Sequence, residues 1–282
     1  MNSRKWHHRR IISGRTAPWL YAMASGKGGV GKSVIAFNLA EHLSQTRRVL
    51  LVDADFHMGN LHLLANVTPN HGWQAVCRGQ IRLDEALVAV NERLHLLASS
   101  GGRSEEAFPD TPSLATFLSG LRGAAAAYDL VIFDTVSGIL PQTHLILSAV
   151  DEVILTTTPE LTAISNCYAL YKILVSGNPA FEARLLVNQE DDEETVRYIY
   201  DKFCLITSKF LGRTPAFLGG LGADRAVVES VALQSPLSAS APDSTITRQL
   251  AALARRLDGD DRPAGITLET INVTPAGVDI KE

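Results

Sequence analysis

One stretch, Ser25-Gly26-Lys27-Gly28-Gly29-Val30-Gly31-Lys32-Ser33, restricts what this chain can fold into more than any other. An apolar run from Trp19 to Ala24 precedes it, and Ile35, Leu39, Ala40 and Leu43 follow at helical spacing from about Val34. That order reads as strand, glycine loop and helix N-terminus. Glycines crowded into the loop let backbone N–H groups converge on an anion that side chains would obstruct. The positive end of the helix dipole adds to the attraction. Gly26 through Ser33 satisfy G-x-x-x-x-G-K-[ST], in which Lys32 reaches the outer phosphates of a nucleotide and the Ser33 hydroxyl ligates Mg2+.

Two further apolar runs end in carboxylates. Residues 48–53 (RVLLVD) read as a strand buried on both faces of a parallel sheet, and they lead into Asp53-Ala54-Asp55. Carboxylates just past such a strand share the rim on which open α/β sheets bind ligands. There Asp55 is expected to hold the attacking water and Asp53 to support the magnesium shell, unless either only caps the next helix. Residues 128–133 (YDLVIF) form the next buried strand, and the closing Asp134 faces magnesium through water, the Walker B arrangement. Strands are also expected at 94–98, 152–157 and 184–188. Short helices are expected within 72–92, and longer ones at 113–127 with Ser113 as cap, from Leu161 onward, and at 245–257. The alternation predicts an α/β fold, a mostly parallel twisted sheet with helices on both faces.

At 282 residues, 46% apolar and 20% charged, the chain suits one P-loop domain at 19–258 between a basic tail at 1–18 and a second tail at 259–282. A net charge of -4 gives no global case for nucleic-acid binding. No uncharged apolar run approaches the roughly 18–20 residues that span a bilayer, and the N-terminus lacks a signal-peptide core, so a cytoplasmic location is expected. Cys77, Cys167 and Cys204 are widely spaced and read as small apolar side chains rather than zinc or iron–sulfur ligands. Arg4, Lys5, Arg9, Arg10 and Arg15, with Trp6 among them, read as a solvated segment able to touch phosphate, anionic lipid or an acidic partner. The 245–257 segment sets Ile246, Leu250, Leu253, Ala254 and Leu257 on one side, as a packing helix would. No basic amphipathic stretch of the kind that lies on a membrane follows it.

Lys27 gives the loop a second lysine, K-G-G-V-G-K-S. One lysine serves the loop's own phosphates, so the other is either solvated or free for another task. In this the chain resembles the deviant Walker A ATPases of the MinD/ParA family, from about residue 19 to 257. Asn60, Asn188 and Asp224 match family positions, and Thr158-Pro159-Glu160-Leu161-Thr162-Ala163-Ile164 looks like the branch that controls flagellar number and placement, called FlhG or FleN. Val227-Val228-Glu229-Ser230-Val231 and Gln234-Ser235-Pro236-Leu237 add to that likeness. The resemblance implies ATP with Mg2+, and a homodimer formed on ATP binding in which Lys27 enters the partner's site. It also implies Asn60 and Asp224 beside the nucleotide, Asn188 facing the adenine, and slow hydrolysis that ends the dimer. Partner proteins that stimulate hydrolysis are implied, such as the flagellar GTPase FlhF or a flagellar transcription regulator, with a place at the inner membrane or cell pole. DNA binding is expected only of a ParA-like partitioning protein.

Three departures stand out. His57 replaces a small or aliphatic residue, Thr135-Val136-Ser137-Gly138 replaces x-Pro/Gly-Ala-Gly, and Gly222 replaces a proline, which is expected to loosen the base pocket. They keep open a nucleotide-bound scaffold that no longer hydrolyses.

Overall fold

The computed structural model describes residues 11–12, 15–56, 59–99, 109–178 and 181–258. Two short strands, β1 (Ile11–Ile12) and β2 (Arg15–Thr16), pair antiparallel within the span expected as a basic tail. Residues 1–10 and the whole of 259–282 lie outside the described residues. Next come β3 (Trp19–Ala24), α1 (Lys32–Ser44), β4 (Val49–Ala54), α2 (Leu61–Leu64), α3 (Trp73–Cys77), α4 (Leu83–Ala86), β5 (Leu87–Ala89), β6 (Leu94–Leu97) and α5 (Thr111–Ala124). The second half holds β7 (Leu130–Thr135), α6 (Pro141–Ala149), β8 (Glu152–Thr157), α7 (Leu161–Gly177), β9 (Ala183–Asn188) and α8 (Glu193–Leu211). It ends with β10 (Ala216–Leu221), α9 (Arg225–Ala232), α10 (Leu237–Ser240) and α11 (Thr245–Asp258).

The main sheet runs β10-β9-β8-β3-β7-β4-β6-β5, and every neighbouring pair is parallel except β5 with β6. Its central strands are apolar throughout because both faces are covered. Period-two alternation then sorts their side chains into two cores. Leu20, Ala22, Leu50, Val52, Val131 and Phe133 pack with residues of α5, α6 and α7. Tyr21, Met23, Val49, Leu51, Leu130 and Ile132 pack with residues of α1 and α11 on the other face. The fold is therefore the expected one, a mostly parallel sheet between two helical layers.

Helix α11 buries Ile246, Leu250, Leu253, Ala254 and Leu257, as its apolar side predicts. Its C-terminal end is tied down where the Tyr21 hydroxyl donates to the Leu257 carbonyl at 3.1 Å and Arg47 pairs with Asp258 at 2.7 Å. No described helix is long and apolar enough to cross a membrane.

Two local expectations are corrected. Leu87, expected in a helix, instead opens β5, an antiparallel edge strand beside β6. Three apolar residues in a row fit either period, and pairing with β6 decides between them. Helix α5 starts two residues before Ser113; its cap is Asp110, whose carboxylate accepts from the Ser113 N–H at 2.8 Å, with Pro112 in the first turn.

Parallel strands have one consequence for the site. The connections after β3, β4, β7, β8, β9 and β10 all leave the same edge of the sheet.

Candidate nucleotide-binding site

Residues 25–31 link β3 to α1, and Gly31 is the N-cap of α1 at φ 91°, a left-handed backbone that a side chain would strain. A Cβ on Gly31 would also collide with the Asn188 amide. That amide donates from Nδ2 to the Val30 carbonyl at 2.8 Å, so the end of β9 braces the loop from one side. Lys32 lies in the first turn of α1, 7% exposed, and donates to Ser25 Oγ at 2.9 Å and Ser137 Oγ at 2.6 Å. Burial pulls its pKa down, while the charges of Asp134 and Asp55 oppose that pull. The buried ammonium thus rests on two neutral hydroxyls, with no ion pair among the described residues, an arrangement that leaves it ready for an anion.

Asp53 and Asp134 stand opposite each other on the adjacent strands β4 and β7. Burial holds both carboxyls above the usual range, and for Asp53 the neighbouring Asp134 adds to the rise. Asp134 is pushed up to about 6 even though the Ser33 hydroxyl and Lys32 favour its ionised form. Asp53, expected to support the magnesium shell, accepts backbone N–H groups on its two oxygens, from Asp55 at 3.3 Å and Leu61 at 3.1 Å. A Cβ on Gly59 would come within 2.6 Å of either oxygen, so the chain folds directly over this carboxylate. Trp73 completes the clamp, donating from Nε1 to the Asp53 carbonyl at 2.9 Å and packing on Phe56 with ring centroids 5.1 Å apart. Asp53 therefore sets the path of the loop that carries Asp55, which is half-buried at the end of β4.

The remaining positions divide. Lys27 reaches Glu160, with Thr162 Oγ1 at 3.4 Å, across the connection between β8 and α7. Asn60 is exposed at the N-cap position of α2 and makes no side-chain cap there. Asp224 caps α9, accepting from the Ala226 N–H at 2.9 Å. Gly222 is held rather than loose: its N–H donates to Gln249 Oε1 at 3.0 Å, a bond that the family's proline lacks the hydrogen to make. His57 lies outside the described residues. The structure brings Gly26 through Ser33, Asp55, Asp134 and Asn188 together around one loop. It adds Ser25, Ser137 and Glu160, to which sequence reading gives no role, although Ser25 opens the glycine stretch, Glu160 lies in the Thr158–Ile164 run and Ser137 departs from the family's turn.

The residues present fit a magnesium nucleotide. Asp134 Oδ1 is buried without a hydrogen-bond partner, and the Ser33 hydroxyl lies on the same carboxyl. A hydroxyl beside a partnerless carboxylate oxygen is a hard-oxygen set suited to Mg2+. Elsewhere among the described residues no cluster of three His, Cys, Asp or Glu side chains forms a metal site, and Cys77 and Cys167 are buried thiols.

A stability test follows from the Asp134 pKa. Raising a carboxyl from 3.8 to about 6 corresponds to about 3 kcal/mol of preference for the protonated form. Between those pH values the folded, metal-free chain holds a proton that the unfolded chain has lost. Its stability should therefore fall as pH rises from about 4 through about 6, and Asp53, whose carboxyl burial also raises, adds to the fall. Urea unfolding of Asp134→Asn should show a shallower fall, since buried Asp53 keeps its own share, and the metal-free variant should be more stable at pH 7, while magnesium-dependent nucleotide binding is lost.

The family described as "Cellulose biosynthesis protein BcsQ" matches residues 20–257. The chain is 27% identical over 244 residues to the "Antiactivator FleN" of Pseudomonas aeruginosa, covering 86% of this chain and 87% of that protein. It is 31% identical over 153 residues to the "Flagellum site-determining protein YlxH" of Helicobacter pylori, covering 54% and 52%. Among solved structures it is similar to MinD of Pyrococcus horikoshii complexed with Mg-ADP, with TM-score 0.73 and 23% identity over 86% of this chain and 96% of that one. A ParA family ATPase from Chlorobium tepidum gives a TM-score of 0.70 at 23% identity, over 86% and 99%.

Proposed function

This chain belongs to the BcsQ family of MinD/ParA-type P-loop ATPases, and from that premise we propose that it is a switch whose assembly is set by ATP. The observation that carries the reading is the division of labour between two lysines on one loop. Lys32 is buried within the loop's own site, whereas the Lys27 side chain is 39% exposed on the rim. The connections leaving that edge also expose large apolar side chains: Leu161 is 81% exposed and Val228 70%, and Leu63 and Leu140 are exposed as well. A second copy meeting this rim covers them and brings Lys27 to the opposite nucleotide.

In this reading the loop N–H groups and Lys32 bind and orient the phosphates, and Ser33 with Asp134 hold the metal. Mg2+, when bound, neutralises charge on the phosphates. Asp53 keeps the Asp55 loop in place, and Asp55 orients the water and accepts its proton. Lys27 leaves Glu160 for the partner's site on assembly, and slow hydrolysis dissolves the pair. Light scattering tests the idea: the chain should double in mass on saturation with Mg-ATP, and Lys27→Ala should bind nucleotide yet stay single. A wild-type chain that remains monomeric at saturating Mg-ATP overturns the switch.

The process served is proposed from the relatives. Likeness to FleN and YlxH supports control of flagellar number or placement, with flagellar proteins as partners and action in the cytoplasm or at a pole. The description of the matched family supports a second reading, service to cellulose production. A deletion strain separates them: altered flagellar number with normal cellulose favours the first, the converse the second.

A further inference from the structure

The hydroxyl of Ser137 stands where the family's turn carries alanine. It lies on the connection after β7, next to the loop, and it accepts from Lys32 Nζ at 2.6 Å. The same turn is tied to the loop by the Gly138 N–H, which donates to the Ser25 carbonyl at 2.8 Å. Ser25 Oγ spends its own hydrogen on the Lys27 carbonyl at 2.7 Å, and it reaches Ser137 Oγ only at 3.4 Å. Ser137 is thus an acceptor for the phosphate-binding lysine with its own hydrogen left to give. A Cβ built on Gly28 would find Ser137 Oγ 3.9 Å away, which puts the hydroxyl beside the glycines of the anion cradle.

We propose that Ser137 is a specificity residue for the triphosphate: when ATP binds, its hydroxyl gives up Lys32 and donates to the terminal phosphate. The inference rests on the ATPase reading above and deepens it. In a loop of this type the backbone N–H groups cradle the inner phosphates, and the lysine extends to the outer ones. A diphosphate fills the cradle and leaves Ser137 on Lys32. A triphosphate adds anionic oxygens beside the very nitrogen that Ser137 holds, and the turned hydroxyl makes a hydrogen bond to a charged acceptor, the stronger kind. Alanine at this position offers neither the resting partner nor the donor. The turn is half-buried, so the hydroxyl reorients without unpacking the core.

The test is a comparison of affinities by calorimetry, with the magnesium complexes of ADP and a non-hydrolysable ATP analogue. A Lys27→Ala background keeps assembly out of the titration. Removing one hydrogen bond to a charged group weakens binding by roughly tenfold or more, so Ser137→Ala should lower the preference for the analogue over ADP by about tenfold. Ser137→Thr, which keeps the hydroxyl, should restore it. A role as a mere prop for Lys32 changes both affinities together and leaves their ratio alone. An unchanged ratio in Ser137→Ala therefore overturns the inference while leaving the ATPase reading standing. If the parent chain binds neither nucleotide, the ATPase reading falls and this one with it.

Discussion

Replacing Asp55 by alanine should slow phosphate release roughly a thousandfold while leaving Mg-ATP affinity near that of the wild type. A positioned carboxylate that orients water and takes its proton contributes about 10²–10⁴-fold. Phosphoryl transfer is especially sensitive to such positioning, since the protein does little covalent chemistry of its own. The binding elements lie elsewhere: Lys32 on its two hydroxyls, Ser33 on Asp134, and Gly31 braced by Asn188. The N–H of residue 55 is held by Asp53 Oδ1 whatever the side chain, so the loop should keep its path in the variant. Single-turnover phosphate release and a nucleotide titration on the same sample separate the two quantities. If hydrolysis is the exit from the assembled state, the variant should also accumulate the doubled mass that the wild type shows only transiently. Equal phosphate release from both chains removes Asp55 from the chemistry.

Much of this arrangement is legible in the sequence because its parts are local. The glycine loop, the strand before it and the helix after it are contiguous, and two more buried strands ending in aspartate could lie only in a covered parallel sheet. What local pattern does not carry is the partner each polar atom chooses. Asp53 and Asp55 look alike two residues apart, yet one is buried among backbone donors and the other half-exposed. That difference depends on Gly59 and Leu61 folding back over β4 and on Trp73 arriving from a separate helix. Asn188, expected to face a nucleotide base, also gives one amide hydrogen to the carbonyl of Val30, a residue 158 positions away. Gly222 reads as a loosened proline site until Gln249 of α11 is seen to take its N–H. In each case the deciding contact joins segments distant in sequence, whose registration is fixed by the sheet.

The same reasoning applies most strongly at the opposite end of β3, where no motif marks the residues that matter. Arg122 of α5 makes a two-pronged pair with Asp151, both bonds 2.9 Å, with the two side chains 7% and 6% exposed. Arg122 also donates to the Pro18 carbonyl at 2.9 Å, and Asp151 accepts from the Leu20 N–H at 2.9 Å. One buried pair thus fastens α5, the entry to β8 and the first residues of β3, the strand that delivers the phosphate loop. Removing one member of such a pair leaves the other charge in a dry setting and costs about 3–5 kcal/mol. For a domain of this size each kcal/mol shifts Tm by roughly 2–4 °C, so Arg122→Ala should melt about 10–15 °C below the wild type. Replacing both members with apolar side chains of similar volume should recover only part of the loss: no uncompensated charge then remains, but the Pro18 carbonyl and the Leu20 N–H lose these partners. At a temperature where the single variant is still folded, its nucleotide affinity should match the wild type, since the pair lies at the far end of the strand from the loop. Calorimetric melting of the single and double variants, with a nucleotide titration below the transition, checks each part. A single variant that melts with the wild type would mean that β3 is anchored by its apolar neighbours alone.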